Sequence, residues 1–498
     1  MNMKCVHIHP YDNVAVAVTD IPAGETLTVA ESTFTTKAVI PFGHKVALSS
    51  IRNGEMVIRY GFPIGHATAD IDPGDWVHTH NVFTNLEGVL DYNYTPVENR
   101  FQPIDDGLIF DGFIRANNEI GIRNEVWIIP TVGCVNKLAE QLAWTMNAEL
   151  DLTGTLGGVH AFTHPYGCSQ LGADERRTQN VLANLVKHPN AGAVLVLSLG
   201  CEQNNLKEFQ PILGNVDPQR VRFLVAQDCE NEVEVGLKVL RQLVQYAGQF
   251  QREPVSVSRL KIGMKCGGSD GFSGMTANPL VGSVSDAVVA RGGTSVLTEV
   301  PEMFGAETLL FNRCVDEEIF EKSVRMVNGF KEYYISYNQP IYENPAPGNR
   351  TGGITTLEEK SLGCIQKGGS SPVVDVLEYG ERLQTPGLNL LSGPGNDGVS
   401  VTGLTAAGAH LVLFTTGRGN PLGSPVPTVK ISSNSPLAVR KPHWIDFDAG
   451  RLLHGSTMPE LTEELLKYIL DVASGRQTTC NERNGYREII ILKDGVTV

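Results

Sequence analysis

The feature that most constrains the fold of this sequence is a change of pattern near residue 107. Before it, β-branched runs such as residues 14–18 are separated by Pro- and Gly-rich turns at 21–25, 40–44 and 71–75. Tight turns between such runs are typical of a compact all-β module. After it, strand-like apolar runs alternate with helical patterns, as in residues 179–198. That alternation predicts α/β architecture with mainly parallel sheets.

The length of the chain requires several domains. A chain of 498 residues exceeds one hydrophobic core and divides into domains of about 100–200 residues. A polar stretch that contains Pro96 and Pro103 is typical of a linker, and residues 248–258 interrupt the helical texture. We therefore predict an all-β N-terminal domain over residues 1–92, a linker over 93–107, and two α/β catalytic lobes over 108–253 and 254–498.

Charge and cysteine content limit the partners and the compartment. The 40 basic and 55 acidic side chains give a formal net charge of -15, which argues against nucleic acid or an anionic membrane as partner. The first residues lack the apolar core of a signal peptide, and no apolar run reaches the roughly 18 residues of a membrane span. Nine cysteines are too few for a disulfide scaffold. We expect reduced thiols, a cytoplasmic location and a homodimer.

Polar, Gly-rich segments directly follow several of the strand-like runs. They lie at residues 200–202, 266–274, 298–302, 392–397 and 415–419. Because the carboxyl ends of strands in open α/β sheets face the binding crevice, we expect these segments to converge on one site. This convergence predicts an enzyme for a small substrate. Ser269, Asp270 and Asn396 in these segments are candidates for substrate contacts.

The cysteines divide into two groups by their surroundings. Those in Gly-rich or turn contexts are Cys134, Cys168, Cys201 and Cys266. Their spacing matches no zinc-finger or ferredoxin pattern. They are ligands of a soft, iron-type metal or reactive thiols, and the alternative is that they are small buried apolar side chains. We interpret four further cysteines as structural, namely Cys5, Cys229, Cys314 and Cys480.

Two histidine motifs are candidates for proton transfer or metal binding. His164 and Tyr166 precede Cys168 within one short segment. His78 and His80 alternate around Thr79, which would place both imidazoles on one face of a strand. Structural or solvated histidines are the alternative in both motifs.

Charged residues in the loops after strands extend the candidate site. The carboxylates are Glu299, Glu302 and Asp270, which suit a divalent cation or a general base, with helix capping as the alternative. Arg418 suits a bidentate contact with a carboxylate, and Lys360 and Lys367 add positive charge. The Gly-rich runs lack the Gly-Lys-Ser/Thr ending of a phosphate loop and the dinucleotide fingerprint, so a nucleotide site is disfavoured.

At these motifs the chain resembles the altronate and galactarate dehydratase family. The matching stretches lie at residues 12–17, 43–47, 59–65, 121–124, 166–170, 188–196, 266–270, 297–307, 345–349, 360–364, 415–419 and 443–448. The resemblance implies a hydro-lyase that converts D-altronate to 2-keto-3-deoxy-D-gluconate in hexuronate (galacturonate) catabolism. It also implies a divalent metal, Fe2+ or Mn2+, and a small N-terminal SAF-type domain with a β-clip fold.

The resemblance also separates the candidate residues into two classes. The galactarate-type members lack the stretch from His78 to His80 and a cysteine at Cys364, which implies that these residues bear on substrate choice. The residues in motifs that both types share, and that would serve the common chemistry, are His164, Cys134, Cys168, Cys201 and Cys266.

Dehydration across C2 and C3 of a sugar acid removes a weakly acidic proton and expels hydroxide, and both steps favour a metal. We hypothesise that His164, beside Tyr166, is the base or a metal ligand, and that Arg418 and Lys360 hold the substrate carboxylate. His78 and His80 would reach in from the N-terminal domain. The predicted metal ligands come from Cys134, Cys168, Cys201, Cys266, Glu299 and Glu302.

Other interpretations of the sequence stay open. A dehydratase of a related sugar acid such as galactarate is one alternative. An iron–sulfur hydro-lyase would take three loop cysteines as cluster ligands and leave one iron open to the substrate. A dinucleotide oxidoreductase lacks its fingerprint, and a non-catalytic sugar-binding protein leaves the loops after the strands unexplained.

Overall fold

The N-terminal domain consists of short antiparallel strands. The computed structural model describes residues 4–98, 101–150 and 155–497. The strands of this domain are β1 (Cys5–Val6), β2 (Val14–Ala17), β3 (Thr26–Val29), β4 (Ser32–Thr35), β5 (Lys45–Ala47), β6 (Met56–Arg59), β7 (Phe62–Ala67), β8 (Trp76–Val77) and β9 (Val82–Phe83). They pair in the orders β1-β2-β5-β8, β6-β7-β9 and β3-β4. The predicted all-β domain is confirmed.

One turn of this domain requires glycine. Gly74 has φ +90°, and a Cβ atom there would lie 2.1 Å from the carbonyl oxygen of Thr35. Only a residue without a side chain fits both the left-handed conformation and the close approach. The Pro- and Gly-rich pattern read from the sequence therefore marks a real turn before β8.

The middle lobe packs helices on both faces of a parallel sheet. Its elements are β10 (Ile109–Ile114), β11 (Ile120–Gly121), β12 (Glu125–Pro130), α1 (Asn136–Glu149), β13 (Val159–Ala161), α2 (Ala173–Lys187), β14 (Ala191–Ser198), α3 (Leu206–Leu213), β15 (Val221–Val225), α4 (Glu232–Ala247) and β16 (Arg252–Ser256). Four strands run parallel in the order β13-β12-β14-β15, and β11-β10-β16 form a separate antiparallel sheet.

Strand β12 shows why the middle lobe has two apolar layers. Val126 and Ile128 pack in the core that includes α1 and α4. Trp127 and Ile129 pack in the core that includes α2. Successive side chains of a strand point to opposite faces, so a continuous apolar run is buried on both sides of the sheet.

The C-terminal lobe contains a larger parallel sheet. Its elements are β17 (Lys261–Cys266), α5 (Ala277–Ala290), β18 (Thr294–Leu297), α6 (Thr308–Phe311), α7 (Glu317–Ser336), α8 (Pro347–Thr351), α9 (Leu357–Cys364), β19 (Val373–Leu377), β20 (Gly387–Leu391), α10 (Asp397–Ala406), β21 (Leu411–Thr416), β22 (Thr428–Ser432), α11 (Ser435–Arg440), β23 (Phe447–Asp448), α12 (Met458–Ala473) and α13 (Cys480–Asn484). The strand order is β19-β20-β18-β17-β21-β22-β23, with every neighbouring pair parallel. The predicted α/β class with mainly parallel sheets is confirmed.

The connections between these regions pack on the C-terminal lobe. Tyr92, just before the predicted linker, hydrogen-bonds Glu307, and the hydroxyl of Tyr94 donates to the carbonyl of Cys314 at 2.6 Å. The predicted boundary at residue 253 falls inside β16, which pairs with β10 of the middle lobe. Within the described residues, no helix combines the length and apolar character needed to cross a membrane.

Candidate active site

Several loops meet at the carboxyl edge of the seven-stranded sheet. β17 ends at Cys266, whose backbone N–H donates to Oε2 of Glu299, in the loop after β18, at 2.9 Å. The hydroxyl of Thr298 donates to the carbonyl of Leu391, the last residue of β20, at 3.0 Å. The N–H of Gly267 donates to the carbonyl of Thr415 in β21 at 3.0 Å. This is the convergence that the sequence pattern predicts for parallel strands.

Glu299 lies at the bottom of this site between two buried lysines. Lys265 Nζ contacts one carboxylate oxygen, and Lys367 Nζ lies 3.2 Å from the other. Lys265 also pairs with Asp397 at 2.9 Å. Burial alone would lower the pKa of Lys265, but Glu299 beside it raises that pKa, so the ammonium stays charged. Glu299 has φ +72°, a left-handed conformation that costs a residue with a side chain roughly 1–3 kcal/mol.

A second carboxylate, Glu302, is shared by one lysine and two thiols. Its Oε1 accepts a hydrogen bond from Lys360 Nζ at 2.7 Å. Its Oε2 accepts from Sγ of Cys266 at 3.2 Å and from Sγ of Cys364 at 3.1 Å. Burial would raise the pKa of Glu302, but Lys360 and the lysines behind it hold that pKa far below its usual range. The hydrogen bond to Cys266, together with burial, raises the pKa of the Cys364 thiol.

The donor atoms around Glu302 fit a divalent cation. Across residues 4–98, 101–150 and 155–497, Cys266, Glu302 and Cys364 form the single group of three or more His, Cys, Asp or Glu ligand atoms within 4.8 Å of one another. The formal charges nearby balance between Lys265, Lys360 and Lys367 on one side and Glu299, Glu302 and Asp397 on the other. A divalent ion that replaces the two thiol protons leaves this balance unchanged. Thiolate ligands suit iron better than manganese, which prefers oxygen.

The cluster approaches solvent at Lys360, which is 7% exposed. Its ammonium also donates to Oδ1 of Asn344 at 3.0 Å and to Oδ1 of Asn349 at 3.4 Å. Asn344 lines a neighbouring cavity of about 690 Å³, within the usual range for small-molecule sites. A Cβ atom on Gly395 would lie 3.3 Å from Oε1 of Glu302 and 3.8 Å from Nδ2 of Asn344. Asn344 therefore connects this cavity to Lys360, and Gly395 lies beside both Glu302 and Asn344.

The N-terminal domain docks directly behind this site. Lys45 lies 2.8 Å from Oε1 of Glu359, and Arg59 contacts the same oxygen. All three side chains are at most 1% exposed. Tyr60 packs against Gly274, where a Cβ atom would lie 2.5 Å from the phenol oxygen. Glu359 precedes Lys360 in α9, so the same helix holds the domain and lines the site.

The prediction that His78 and His80 share one face of a strand is wrong. β8 ends at Val77, and both histidines lie in the turn that follows. Asn81 Oδ1 accepts the N–H of His78 at 2.9 Å, an interaction that closes the turn. His78 is buried, with Nδ1 3.0 Å from the hydroxyl of Thr355, whereas His80 is exposed. Of the two, His78 is the one whose ring contacts the C-terminal lobe.

Several predicted substrate residues have contacts that hold the loops, and their predicted contacts with substrate stay predictions. Asp270 is buried and accepts from Ser433 Oγ at 2.7 Å and from Asn434 Nδ2 at 2.8 Å, and burial raises its pKa. The carbonyl of Ser269 accepts from Asn349 at 2.9 Å. Asn396 caps α10 by accepting the N–H of Val399 at 3.1 Å.

Arg418 is exposed and lies beside a different cavity. That cavity has a volume of about 330 Å³ and is also lined by Asp270 and Arg440. The structure gives Arg418 no hydrogen bond to the cluster around Glu302 within the described residues. Its predicted contact with a substrate carboxylate stays a prediction.

The other predicted site residues form a second group in the middle lobe. Cys134, Cys168 and Cys201 are exposed. His164 is buried, its Nε2–H donates to the carbonyl of Pro130 at 2.8 Å, and its Nδ1 accepts the N–H of Tyr166 at 3.2 Å. Burial lowers the pKa of His164 to about 4, so the ring is neutral at pH 7. Both nitrogens are occupied by backbone groups, and the predicted role of His164 as base or ligand stays a prediction.

The predicted ligands thus lie in two separate groups. The group around Glu302 also contains two residues that were not among the sequence candidates. Cys266, Glu299 and Glu302 come together, and Lys265 and Asp397 join them. Lys265 is a lysine inside an apolar strand, and this departure from the strand pattern is the signal that could have identified it.

Family models match the chain in three consecutive segments. The model described as "Altronate/galactarate dehydratase SAF domain" matches residues 3–85. The model "D-galactarate dehydratase/Altronate hydrolase, second domain" matches residues 112–248. The model "D-galactarate/Altronate dehydratase, C-terminal" matches residues 257–497, the region that contains the cluster around Glu302.

Curated proteins resemble the chain over its whole length. It is 54% identical to the altronate dehydratase of Escherichia coli (strain K12), with 100% of both chains covered. It is 50% identical to the altronate dehydratase of Bacillus subtilis (strain 168), with 99% of both covered. Its identity to the galactarate dehydratase (L-threo-forming) of Escherichia coli (strain K12) is lower, at 34%, over 96% of this chain and 94% of that protein.

Proposed function

Since this chain belongs to the altronate/galactarate dehydratase family, we propose that it is a hydro-lyase that dehydrates D-altronate to 2-keto-3-deoxy-D-gluconate and water. The proposed substrate rests on sequence identity. The chain is 54% and 50% identical to two altronate dehydratases along its full length, but 34% identical to a galactarate dehydratase. The resemblance found in the sequence motifs is confirmed.

We propose that Lys360 binds the substrate carboxylate. Its ammonium donates to Asn344, which lines the cavity, and to Asn349. Burial would lower its pKa, but Glu302 raises it, so Lys360 is charged at neutral pH. A fixed ammonium in a site with little water binds a carboxylate more strongly than the same group in bulk solvent.

The positive charge behind Lys360 serves the chemical step. When the proton leaves C2, negative charge develops on the carboxylate and the adjoining carbon. Lys265 and Lys367 are buried, are fixed by Glu299 and need no reorganisation as that charge appears. Such preorganised charge is the largest single source of rate acceleration in many enzymes.

We propose that Cys266, Cys364 and Glu302 hold the divalent metal, with Fe2+ favoured over Mn2+ by the two sulfur donors. A bound metal supplies Lewis acidity, which polarises substrate oxygen atoms and eases the departure of hydroxide. The residues themselves keep the site dry, since all three are at most 3% exposed.

We place this activity in the cytoplasm. The thiols of Cys266 and Cys364 lie 3.3 Å apart without a bond, and their proposed role requires them to stay reduced. A reducing compartment protects such a pair. The homodimer stays a prediction.

The test is an anaerobic assay of 2-keto acid formation. D-Altronate and galactarate are supplied with Fe2+ or Mn2+, and the expected result is faster turnover of D-altronate with Fe2+. An enzyme that forms no keto acid from D-altronate with either ion, while it turns over galactarate, would overturn the proposed substrate.

The role of Lys360 has its own test. Lys360→Met should lower kcat/KM by about 100- to 1,000-fold, as expected for the loss of one preorganised charge. Lys467→Met is the matched control, since Lys467 is an exposed lysine of α12 and should leave turnover unchanged. Activity of Lys360→Met within threefold of the wild type would rule out this role.

His164→Asn tests the role predicted for the histidine. Loss of turnover with an intact fold is expected if His164 acts as base or ligand. Normal turnover would exclude both roles and leave His164 as the residue that fixes its loop.

A further inference from the structure

The exposed cysteines of this protein occur at one place. Of the nine cysteines, five are buried and Cys229 is half-buried, whereas Cys134, Cys168 and Cys201 are exposed. Free cysteine is among the most frequently buried residue types. An exposed thiol is therefore a departure from the usual pattern, and three on neighbouring loops require an explanation.

The loops that carry these cysteines are tied together by their backbones. They follow β12, β13 and β14, adjacent strands of the four-stranded parallel sheet. The N–H of Gly133, next to Cys134, donates to the carbonyl of Tyr166 at 2.9 Å. The N–H of Asn204, three residues after Cys201, donates to the carbonyl of Gly167 at 3.0 Å. The three thiols thus lie on one edge of the sheet, on loops that support one another.

The loop of Cys168 has a conformation that its surroundings impose. Gly167 has φ +98°, and a Cβ atom there would lie 1.9 Å from the carbonyl oxygen of Thr131 at the end of β12. Ser169, on the other side of Cys168, has φ +58°. This conformation raises the free energy of a residue that has a side chain, and such strain persists only where neighbouring structure fixes it. Cys168 is therefore presented outward by a rigid turn.

From these observations we propose that Cys134, Cys168 and Cys201 ligate an iron–sulfur cluster. A single tetrahedral ion at about 2.3 Å from each sulfur needs its sulfurs about 3.8 Å apart. In the described part of the chain, these three sulfurs are not among the groups with all ligand atoms within 4.8 Å of one another. A cluster of several irons spans sulfurs that are spread more widely.

The side chains of His164 and Glu202 lie near the three cysteines but already have other hydrogen-bond partners. Both ring nitrogens of His164 are bonded to backbone groups, so the proposed cluster uses the three thiolates without the imidazole. Glu202 is directed to the backbone, where it accepts the N–H of Gly200 at 2.6 Å. Three thiolates bind a four-iron cluster and leave one iron without a protein ligand. That iron would be open to a hydroxyl or carboxylate oxygen.

This site is separate from the one proposed for Lys360 and Glu302. It lies on a different sheet, uses none of the same residues and does not depend on the substrate. The assembly consumes ferrous and ferric iron in equal amounts together with sulfide and releases the three thiol protons, so all three reagents must be supplied in the test.

The experiment is anaerobic reconstitution of the full chain with ferrous iron, ferric iron and sulfide, followed by desalting. Iron, acid-labile sulfide, visible absorbance and the electron paramagnetic resonance of the dithionite-reduced protein are measured. The expected result is a brown protein with about four irons and four sulfides per chain. Each of Cys134→Ser, Cys168→Ser and Cys201→Ser should lose most of the sulfide, whereas Cys229→Ser, in the same lobe, should retain it.

Alkylation supplies a second readout that does not depend on the folding of a variant. Iodoacetamide should modify Cys134, Cys168 and Cys201 in the wild-type apoprotein and leave them unmodified after reconstitution, as mapped by mass spectrometry. Wild-type protein that takes up no sulfide, or iron bound without sulfide, would overturn the proposal. So would equal sulfide in the triple serine variant. Keto acid formation by a protein without the cluster would leave the proposed function intact.

Discussion

The carboxylate of Glu359 is predicted to hold the N-terminal domain on the C-terminal lobe. It lies 2.8 Å from Lys45 and also contacts Arg59, and all three side chains are buried. Burial would raise its pKa, but Lys45 and Arg59 lower it to about 2 from its ordinary value of 4.5. A pKa of about 2 in place of 4.5 corresponds to about 3 kcal/mol of stability. Glu359→Gln removes that contribution and leaves two buried cations without a counterion.

The assay is native-state hydrogen exchange at pH 7, because a chain of several domains does not unfold in one step. Amides of β2 and β5 report the opening of the N-terminal domain. A loss of about 3 kcal/mol should speed their exchange by roughly 100-fold. The matched control is Asp70→Asn, which breaks the exposed pair between Asp70 and Arg52 and should leave exchange unchanged.

The stabilisation by Glu359 should depend on pH in one direction. A carboxylate whose pKa is depressed by folding contributes stability above its unfolded pKa of about 4.5 and loses it as the pH falls toward 2. The wild type and Glu359→Gln should therefore converge in exchange rate between these values. Exchange in Glu359→Gln that stays within threefold of the wild type at pH 7 would show that Glu359 does not hold the N-terminal domain on the C-terminal lobe.

Three further predictions concern groups near the seven-stranded sheet. Burial lowers the pKa of Lys430 to about 7, and its Nζ lies 3.3 Å from the ring centroid of Phe414. Because the open form binds more protons than the native form above pH 7, the free energy of opening at β22, measured by native-state hydrogen exchange, should rise by about 1.4 kcal/mol per pH unit up to pH 9, and Lys430→Met should lack this rise. In the metal-free protein, diamide should take two electrons and two protons from Cys266 and Cys364 and leave them joined by a disulfide, which peptide mapping would detect. Two separate thiols after oxidation would contradict the 3.3 Å separation of the sulfur atoms. Gly395→Val should raise KM with little change in kcat, since overpacking costs about 1–3 kcal/mol or roughly 5- to 150-fold; an unchanged KM would place the substrate route elsewhere.

The sequence predicts the fold better than the side-chain contacts because periodicity is a local property. The alternation in residues 179–198 marks α2 and β14, and both exist. The histidine pair shows the limit. Alternation around Thr79 looks like a strand, but Asn81 accepts the N–H of His78 and closes a turn. A side-chain hydrogen bond to the backbone overrides the pattern there.

The site is only partly predictable because its residues meet through tertiary packing. Loops after strands identify Cys266, Glu299 and Glu302, since parallel strands place their carboxyl ends at one edge. Cys364 sits at the end of α9 and reaches the edge only because that helix packs beneath it. Lys265 lies within β17, and no rule on strand ends selects it. Long-range contacts of this kind leave no signal in spacing.

Helix α9 contacts both the N-terminal domain and the candidate active site. Its eight residues are all buried, although three of the first four are charged. Glu358 accepts from Thr84 at 2.9 Å, Glu359 pairs with Lys45 at 2.8 Å, and Lys360 pairs with Glu302 at 2.7 Å. Burying three consecutive charges is costly unless each has a partner.

Because the first two partners belong to the N-terminal region and the third to the site, docking of that region fixes where Lys360 lies. We therefore expect Glu359→Gln to raise KM for the sugar acid while the bound metal, measured by elemental analysis, stays at the wild-type amount. Equal KM in a variant with 100-fold faster exchange in β5 would separate domain docking from substrate binding and leave α9 with a purely structural role.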